Sequence, residues 1–242
     1  MILYILLIAH FLADFSFQST KLAEKKINKF KFLIIHSLIY AGTFCIAIFP
    51  FVKFSSAVLP YIIIITSHFC IDWIRTILDK KFTNRIYAFT SFIIDQIFHI
   101  VIIVVIYYIF SLSVRTNQIY EYIGKWVYFE NLIIYSSILV IIWDPVAVFI
   151  KKMFSYIIDK QSSICEDNDP QIGRIIGKLE RVIIASLVLC NQFGAIGFVL
   201  TAKSIARYKQ LEDRNFAEKY LVGTLTSAII AFITTIILKQ LL

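Results

Sequence analysis

Long apolar runs alternate with short basic connections along the whole chain, at about residues 1–18, 32–52, 57–78, 88–112, 131–150, 182–201 and 220–238. Some 20 apolar residues in a helix suffice to cross a hydrocarbon core, at roughly 1.5 Å per residue. In lipid the backbone must pair within its own segment, so runs of this length predict helices. The pattern predicts an all-α, polytopic transmembrane bundle of about 6–7 spans.

Polar residues interrupt these runs at helical spacing. His10 and Asp14, His68 and Asp72, and in reverse Asp95 and His99 are each four positions apart, one turn along a single helix face. His36 stands alone in the second run. All 4 histidines fall in the first hundred residues, each in a different run.

The connections set the orientation. Lys21, Lys25, Lys26, Lys29 and Lys31 follow the first run, and Arg75, Asp79, Lys80, Lys81 and Arg85 follow the third. The positive-inside rule places both groups in the cytoplasm. Counted from there, the histidines and aspartates fall in one layer on the inner half of the bilayer, with His99 deepest.

Composition agrees with this reading. The 242 residues are 59% hydrophobic and only 17% charged, and the mean hydropathy is +0.79, which excludes an ordinary soluble domain. The formal charge of +8 sits in the connections, where it meets anionic headgroups, so membrane lipids rather than nucleic acid are the expected partners. Cys45, Cys70, Cys165 and Cys190 lack CxxC spacing and predict no thiolate metal site. The first run has no basic leader or small-residue cleavage site and is broken by His10, which predicts a retained span rather than a cleaved signal.

The second half is less regular. Residues 113–131 read as a mixed loop with Trp126 and Tyr128 at an interface, and 154–180 as a polar connection with a turn at Glu166–Pro170. Simple alternation would put the basic stretch from Lys203 to Lys219 outside. Either 191–197 forms a re-entrant turn or the charge bias is overridden. Gly223-Thr224 reads as close helix packing. Glu180 and Arg181 are expected at interface level. We divide the chain into 1–112, a four-helix region carrying the histidines, and 113–242, further helices with an interfacial segment, as one continuous membrane domain.

A carboxylate deep in a membrane helix costs about 2.5–3.5 kcal/mol on insertion scales, so Asp14, Asp72 and Asp95 need partners. Imidazoles with carboxylates are ligands for a divalent transition metal such as Zn, Mn or Fe. The expected ligands are His10, Asp14, His36, His68, Asp72, Asp95 and His99, with a non-ligating aspartate among Asp14, Asp72 and Asp95 as catalytic base. The alternative for the same residues is a hydrogen-bond network holding the bundle together. Gln18 continues the face of His10 and Asp14; with Lys203 and Arg207 it is a candidate for holding a substrate headgroup. Gln96 is expected to make a packing contact, Cys70 to fill space, Trp73 and Arg75 to mark the headgroup layer, and Asp144 to bond locally beside Pro145.

Together, His10-Phe-Leu-Ala-Asp14-Phe-Ser-Phe-Gln18, His36, His68-Phe-Cys-Ile-Asp72 and Asp95-Gln-Ile-Phe-His99 resemble DUF3307, a family of bacterial multi-pass membrane proteins of unknown function. The resemblance covers the first half. The second half, with Gly177-Lys-Leu-Glu180-Arg181, Gly194-Ala-Ile-Gly197, Lys203-Ser-Ile-Ala-Arg207 and Gly223-Thr224, resembles the extension of longer members. It implies a bacterial inner-membrane location and no particular activity. The HxxxD helices are also similar in style to bacterial membrane-bound metal-dependent hydrolases. The expected function is metal-dependent hydrolysis of a lipid or lipid-linked substrate from the cytoplasmic side. The competing expectations are a proton- or metal-coupled transporter or channel, a haem-binding electron carrier, and a non-catalytic scaffold with a polar core.

Overall fold

The computed structural model describes residues 1–82, 84–157 and 170–242. Cys165 and the expected turn from Glu166 lie outside the described residues. Helices α1 (Ile2–Phe11), α2 (Thr20–Asn28), α3 (Phe30–Ile48), α4 (Phe54–Lys81), α5 (Arg85–Ile109) and α6 (Gln118–Ile123) are followed by α7 (Phe129–Ile157), α8 (Pro170–Leu189), α9 (Phe193–Ala206) and α10 (Arg214–Lys239). Five of them, α3, α4, α5, α7 and α10, are long and apolar enough to cross a membrane, and α1 with α2 makes a sixth if that bent pair is one span. The chain is therefore an all-α, multi-pass membrane protein.

The described residues divide into two compact units, Met1–Ser137 and Ile138–Leu242. In the first, α1 packs on α3 and α5, α3 on α4, and α4 on α5, so four helices close a ring around a common axis. Each gives that axis one stripe. On α4 the buried positions are Ala57, Pro60, Ile64, His68, Asp72 and Thr76; on α5 they are Phe92, Asp95, His99, Ile103 and Ile106. Spacings of three and four keep a stripe on one side of a helix. The outward sides carry Leu38, Ile46, Ile94, Phe98, Val101 and Val105, as lipid requires. The histidines and aspartates are inside, among buried apolar residues, and the outer faces are apolar.

Two local features shape the ring. After α1 the backbone widens into a π-helical turn, Leu12–Ser16, closed by Phe17 N donating to Leu12 O. Such turns interrupt regular helices, often at functional sites. Beyond it the chain bends by 80° into α2, which Ser19 caps by accepting from Leu22 N. The expected continuous run through residue 18 therefore ends at Ser16. At the other end of the ring, α5 stops where Ser111 takes a positive φ of 49°, with Ser111 N donating to Tyr108 O and Leu112 N to Tyr107 O. This is a Schellman closure. Pro60 lies inside α4, in its second turn.

In the second unit α8 and α10 pack along one another, and α9 packs on α8. Asn191, at φ 59°, ends α8 in the same way, with Gln192 N donating to Leu187 O, while Lys239 Nζ donates to the carbonyls of Val188 and Leu189. The expected span 182–201 is thus split at 190–192. The α9 helix has 14 residues, about 21 Å, short of a hydrocarbon core of about 30 Å. The break falls at 190–192, and residues 193–197 of the expected turn belong to α9. Part of the expected polar connection 154–180 is helical, since α7 runs to Ile157 and α8 starts at Pro170, where a missing N–H costs nothing.

Candidate metal centre

Each helix of the ring brings its polar residues to the same level because they occupy its buried stripe. His36 is two turns into α3, with Tyr40 and Phe44 following at intervals of four. His68 and Asp72 sit on α4, Asp95 and His99 on α5, His10 at the end of α1, and Asp14 in the π-helical turn. All seven are buried.

The closest approaches are between imidazoles and carboxylates of different helices. His36 Nε2 lies 3.2 Å from Asp14 Oδ1 and 3.2 Å from Asp72 Oδ2, and His68 Nε2 lies 3.9 Å from Asp14 Oδ1. None of these has hydrogen-bond geometry, and both ring nitrogens of His36 and of His68 are buried without a hydrogen-bond partner among the described residues. Leaving such groups unpaired costs about 1–3 kcal/mol each, so four unpaired nitrogens at one place call for an explanation.

The spacing fits a metal ion. Two ligands about 2.1 Å from a tetrahedral ion stand about 3.4 Å apart. Two trios have ligand atoms within 4.8 Å of one another: Asp14, His36 and His68, and His68, Asp72 and His99. Ring orientation separates them. His36 and His68 are tilted by 50° with centroids 5.2 Å apart, so their in-plane lone pairs can meet. His68 and His99 are stacked, 4.4 Å apart at 22°, so theirs run side by side. Asp14, His36 and His68 are the better nucleus, with Asp72 as the fourth ligand through its approach to His36.

The remaining residues do other work. Tyr40 O–H donates to His10 Nδ1 (3.2 Å), and His10 Nε2 donates to Gln96 Oε1 (3.3 Å). Gln96 Nε2 in turn donates to Asp14 Oδ2 (2.7 Å) and Asp95 Oδ2 (3.1 Å). This fixes one His10 tautomer and uses both its nitrogens; the structure does not bring His10 into either trio. Asp95 joins neither trio. Its Oδ2 accepts from Arg75 Nη1 (2.5 Å), while Oδ1 is buried without a hydrogen bond, 3.6 Å from His99 Nε2. Asp72 Oδ2 accepts from Lys26 Nζ of α2 at 2.9 Å.

Several expectations need correction. Gln96, expected to pack, ties His10, Asp14 and Asp95 together. Arg75, expected at the headgroups, turns inward to Asp95 and lies over the Phe92 ring. Gln18 does not extend the His10 face, because the bend intervenes; with its amide turned so that nitrogen faces the Asp14 carbonyl, it donates there (3.0 Å) and accepts from Lys26 Nζ (3.2 Å). Tyr40 and Lys26 were missed. The i+4 step from His36 pointed to Tyr40, whereas nothing local in sequence showed α2 folding back over α4. Lys203 and Arg207 belong to the second unit, where Lys203 Nζ donates to Glu180 Oε2 (2.5 Å) and Thr224 Oγ1 (3.0 Å). Glu180 and Arg181, expected at an interface, are buried there; Arg181 donates to the carbonyls of Ile142 and Trp143 beside Pro145. Asp144 pairs with Lys178.

A family model described as "Protein of unknown function (DUF3307)" matches residues 2–128, slightly more than half of the chain and inclusive of all seven histidine and aspartate positions. No curated protein and no solved structure matches the chain.

Proposed function

The chain belongs to the DUF3307 family, and from that premise and the geometry of its buried histidines we propose an intramembrane metal-dependent hydrolase acting on a lipid or lipid-linked substrate. The observation that carries this reading is the set of unpaired nitrogens of His36 and His68 gathered against Asp14 and Asp72. Neutral imidazoles with carboxylates suit Zn, Mn or Fe. Such an ion, when bound, lowers the pKa of a water and polarises a carbonyl or phosphoryl oxygen.

The surrounding residues supply the rest. Asp95, its Oδ2 held by Arg75 and Gln96, keeps Oδ1 free to accept a proton from the attacking water and return it to the leaving alkoxide. The chain from Tyr40 through His10 and Gln96 orients Asp14, as second-layer partners orient metal ligands. Lys26 and Arg75 are partly exposed at the rim and suit an anionic headgroup. The positive-inside rule supports a cytoplasmic rim, and the family resemblance supports a bacterial inner membrane as its location. Against a transport path, the far side of Tyr40 is filled by Leu6, Phe44, Ile48, Ile64 and Ile103, an apolar cluster without a polar track.

Metal analysis of the purified protein tests the centre. We expect about one divalent ion per chain, with loss of a ligand in His36→Ala or His68→Ala weakening binding by at least ~10–100-fold, the range seen even for second-layer losses. His10→Phe, which removes an orienting partner of Asp14 but no ligand, should still bind the ion, about 10-fold more weakly than wild type and more tightly than either ligand variant. Chelator-sensitive release of headgroup or phosphate from liposomes tests the reaction; a metal-replete protein that releases nothing from phospholipid or lipid-diphosphate vesicles refutes the hydrolase.

A further inference from the structure

We propose that Lys26 is a tethered cation that holds Asp72 in the metal-free protein and is expelled, with helix α2, when the metal binds. This rests on the metal centre proposed above.

Asp72 Oδ2 is claimed twice. It accepts from Lys26 Nζ at 2.9 Å and lies 3.2 Å from His36 Nε2, an atom with no hydrogen-bond partner. An oxygen ligating a divalent ion faces that ion, and an ammonium 2.9 Å away would then stand against the same positive charge. Lys26 and the metal therefore compete for one carboxylate.

Charge counting points the same way. With the histidines neutral, the buried carboxylates Asp14, Asp72 and Asp95 face two cations, Lys26 and Arg75. The cluster carries one negative charge in excess of neutral. A divalent ion added with Lys26 in place overshoots by one positive charge. Added as Lys26 withdraws, it leaves the cluster neutral, the state a low-dielectric interior favours.

The fold lets Lys26 leave. Helix α2 has no buried residue, and it joins the ring through a bend of 80°. It packs on α3 and α4 through half-buried side chains, with Lys25 Nζ over the Phe32 ring, and among its described residues only Lys26 is in contact with a carboxylate of the site. Arg75 has no such freedom, because it belongs to the long helix α4. Lys21 and Lys25 of α2 and Lys29 at its C-terminal cap are exposed, so a released α2 has anionic headgroups to rest on. The withdrawn Lys26 is then free to hold the anionic part of a substrate at the rim.

The test uses the full chain in lipid nanodiscs with zinc as the probe. Competition with a chromophoric chelator should show Lys26→Met binding zinc at least ~10-fold more tightly than wild type, with Lys26→Arg close to wild type. Hydrogen exchange on the wild-type protein is the second measurement and needs no variant to fold: zinc should speed amide exchange across residues 20–28 while slowing it in α3 and α4. Unchanged or weaker zinc binding by Lys26→Met, or protection of 20–28 by zinc, overturns the exchange and leaves the metal centre standing. Absence of zinc binding in both wild type and Lys26→Met overturns the centre and the exchange together.

Discussion

At the scale of single residues, the centre is held by cations and amides that come from outside the histidine pattern. Three buried carboxylates looked like a demand for metal, but Lys26 and Arg75 meet two of them. The case for metal therefore rests on the unpaired imidazoles rather than on charge. Gln96 can be separated from that case. Replacing it with leucine strips donors from Asp14 and Asp95 and leaves His10 Nε2 without an acceptor, at a cost of about 1–3 kcal/mol. Removing Arg75 abandons a buried carboxylate, a loss of about 3–5 kcal/mol. Detergent-solubilised unfolding should rank Arg75→Met below Gln96→Leu and both below wild type. Equal stability for all three would mean that Asp14 and Asp95 find other partners. Sequence spacing exposed the three His/Asp pairs because each lies within one turn of one helix. It did not expose Gln96 or Arg75, whose partners lie on neighbouring helices.

At the scale of elements, a stripe of buried positions with spacing three and four determines what each helix presents. Ile64, His68, Asp72 and Thr76 form one line on α4, so placing the apolar residues also placed the polar ones. This made the helices of the ring legible. What local pattern did not carry was the π-helical turn, the fold-back of α2 and the break at Asn191, since each depends on how carbonyls are closed rather than on hydrophobicity. Glycines show the same contrast. A Cβ at Gly223 of α10 would stand 2.9 Å from Phe154 Cζ, whereas at Gly194 and Gly197 of α9 it would meet nothing within 4 Å. Gly223→Val should therefore lower the stability of the second unit by about 1–3 kcal/mol through overpacking. Gly194→Ala should be neutral or slightly stabilising, because alanine outranks glycine by about 1 kcal/mol in a helix. Thermal aggregation of the two variants in the same detergent measures this, and a larger loss at Gly194 would show that α9 packs against something in the membrane.

At the scale of the whole molecule, the family match, the ring of helices and the seven polar residues share one boundary. The match ends at residue 128, α7 begins at Phe129, and the histidines and aspartates all precede it. The second unit has its own buried polar set, in which Lys203 donates to Glu180 and Thr224 and Arg181 donates to carbonyls of α7. The bonds named for that set lie within the second unit, and the Tyr40–His10–Gln96 chain draws on α1, α3 and α5. If chemistry follows those bonds, the metal centre belongs to the first unit. A chain ending at residue 137, where that unit ends, should then insert in the membrane and bind zinc with the stoichiometry of the full protein and an affinity within about threefold, a difference under 1 kcal/mol. Lys203→Met in the full chain should leave zinc binding unchanged for the same reason. A fragment that inserts yet loses zinc would mean that the second unit completes the ligand set, and Lys203 and Arg207 would regain their place as candidates for the substrate side.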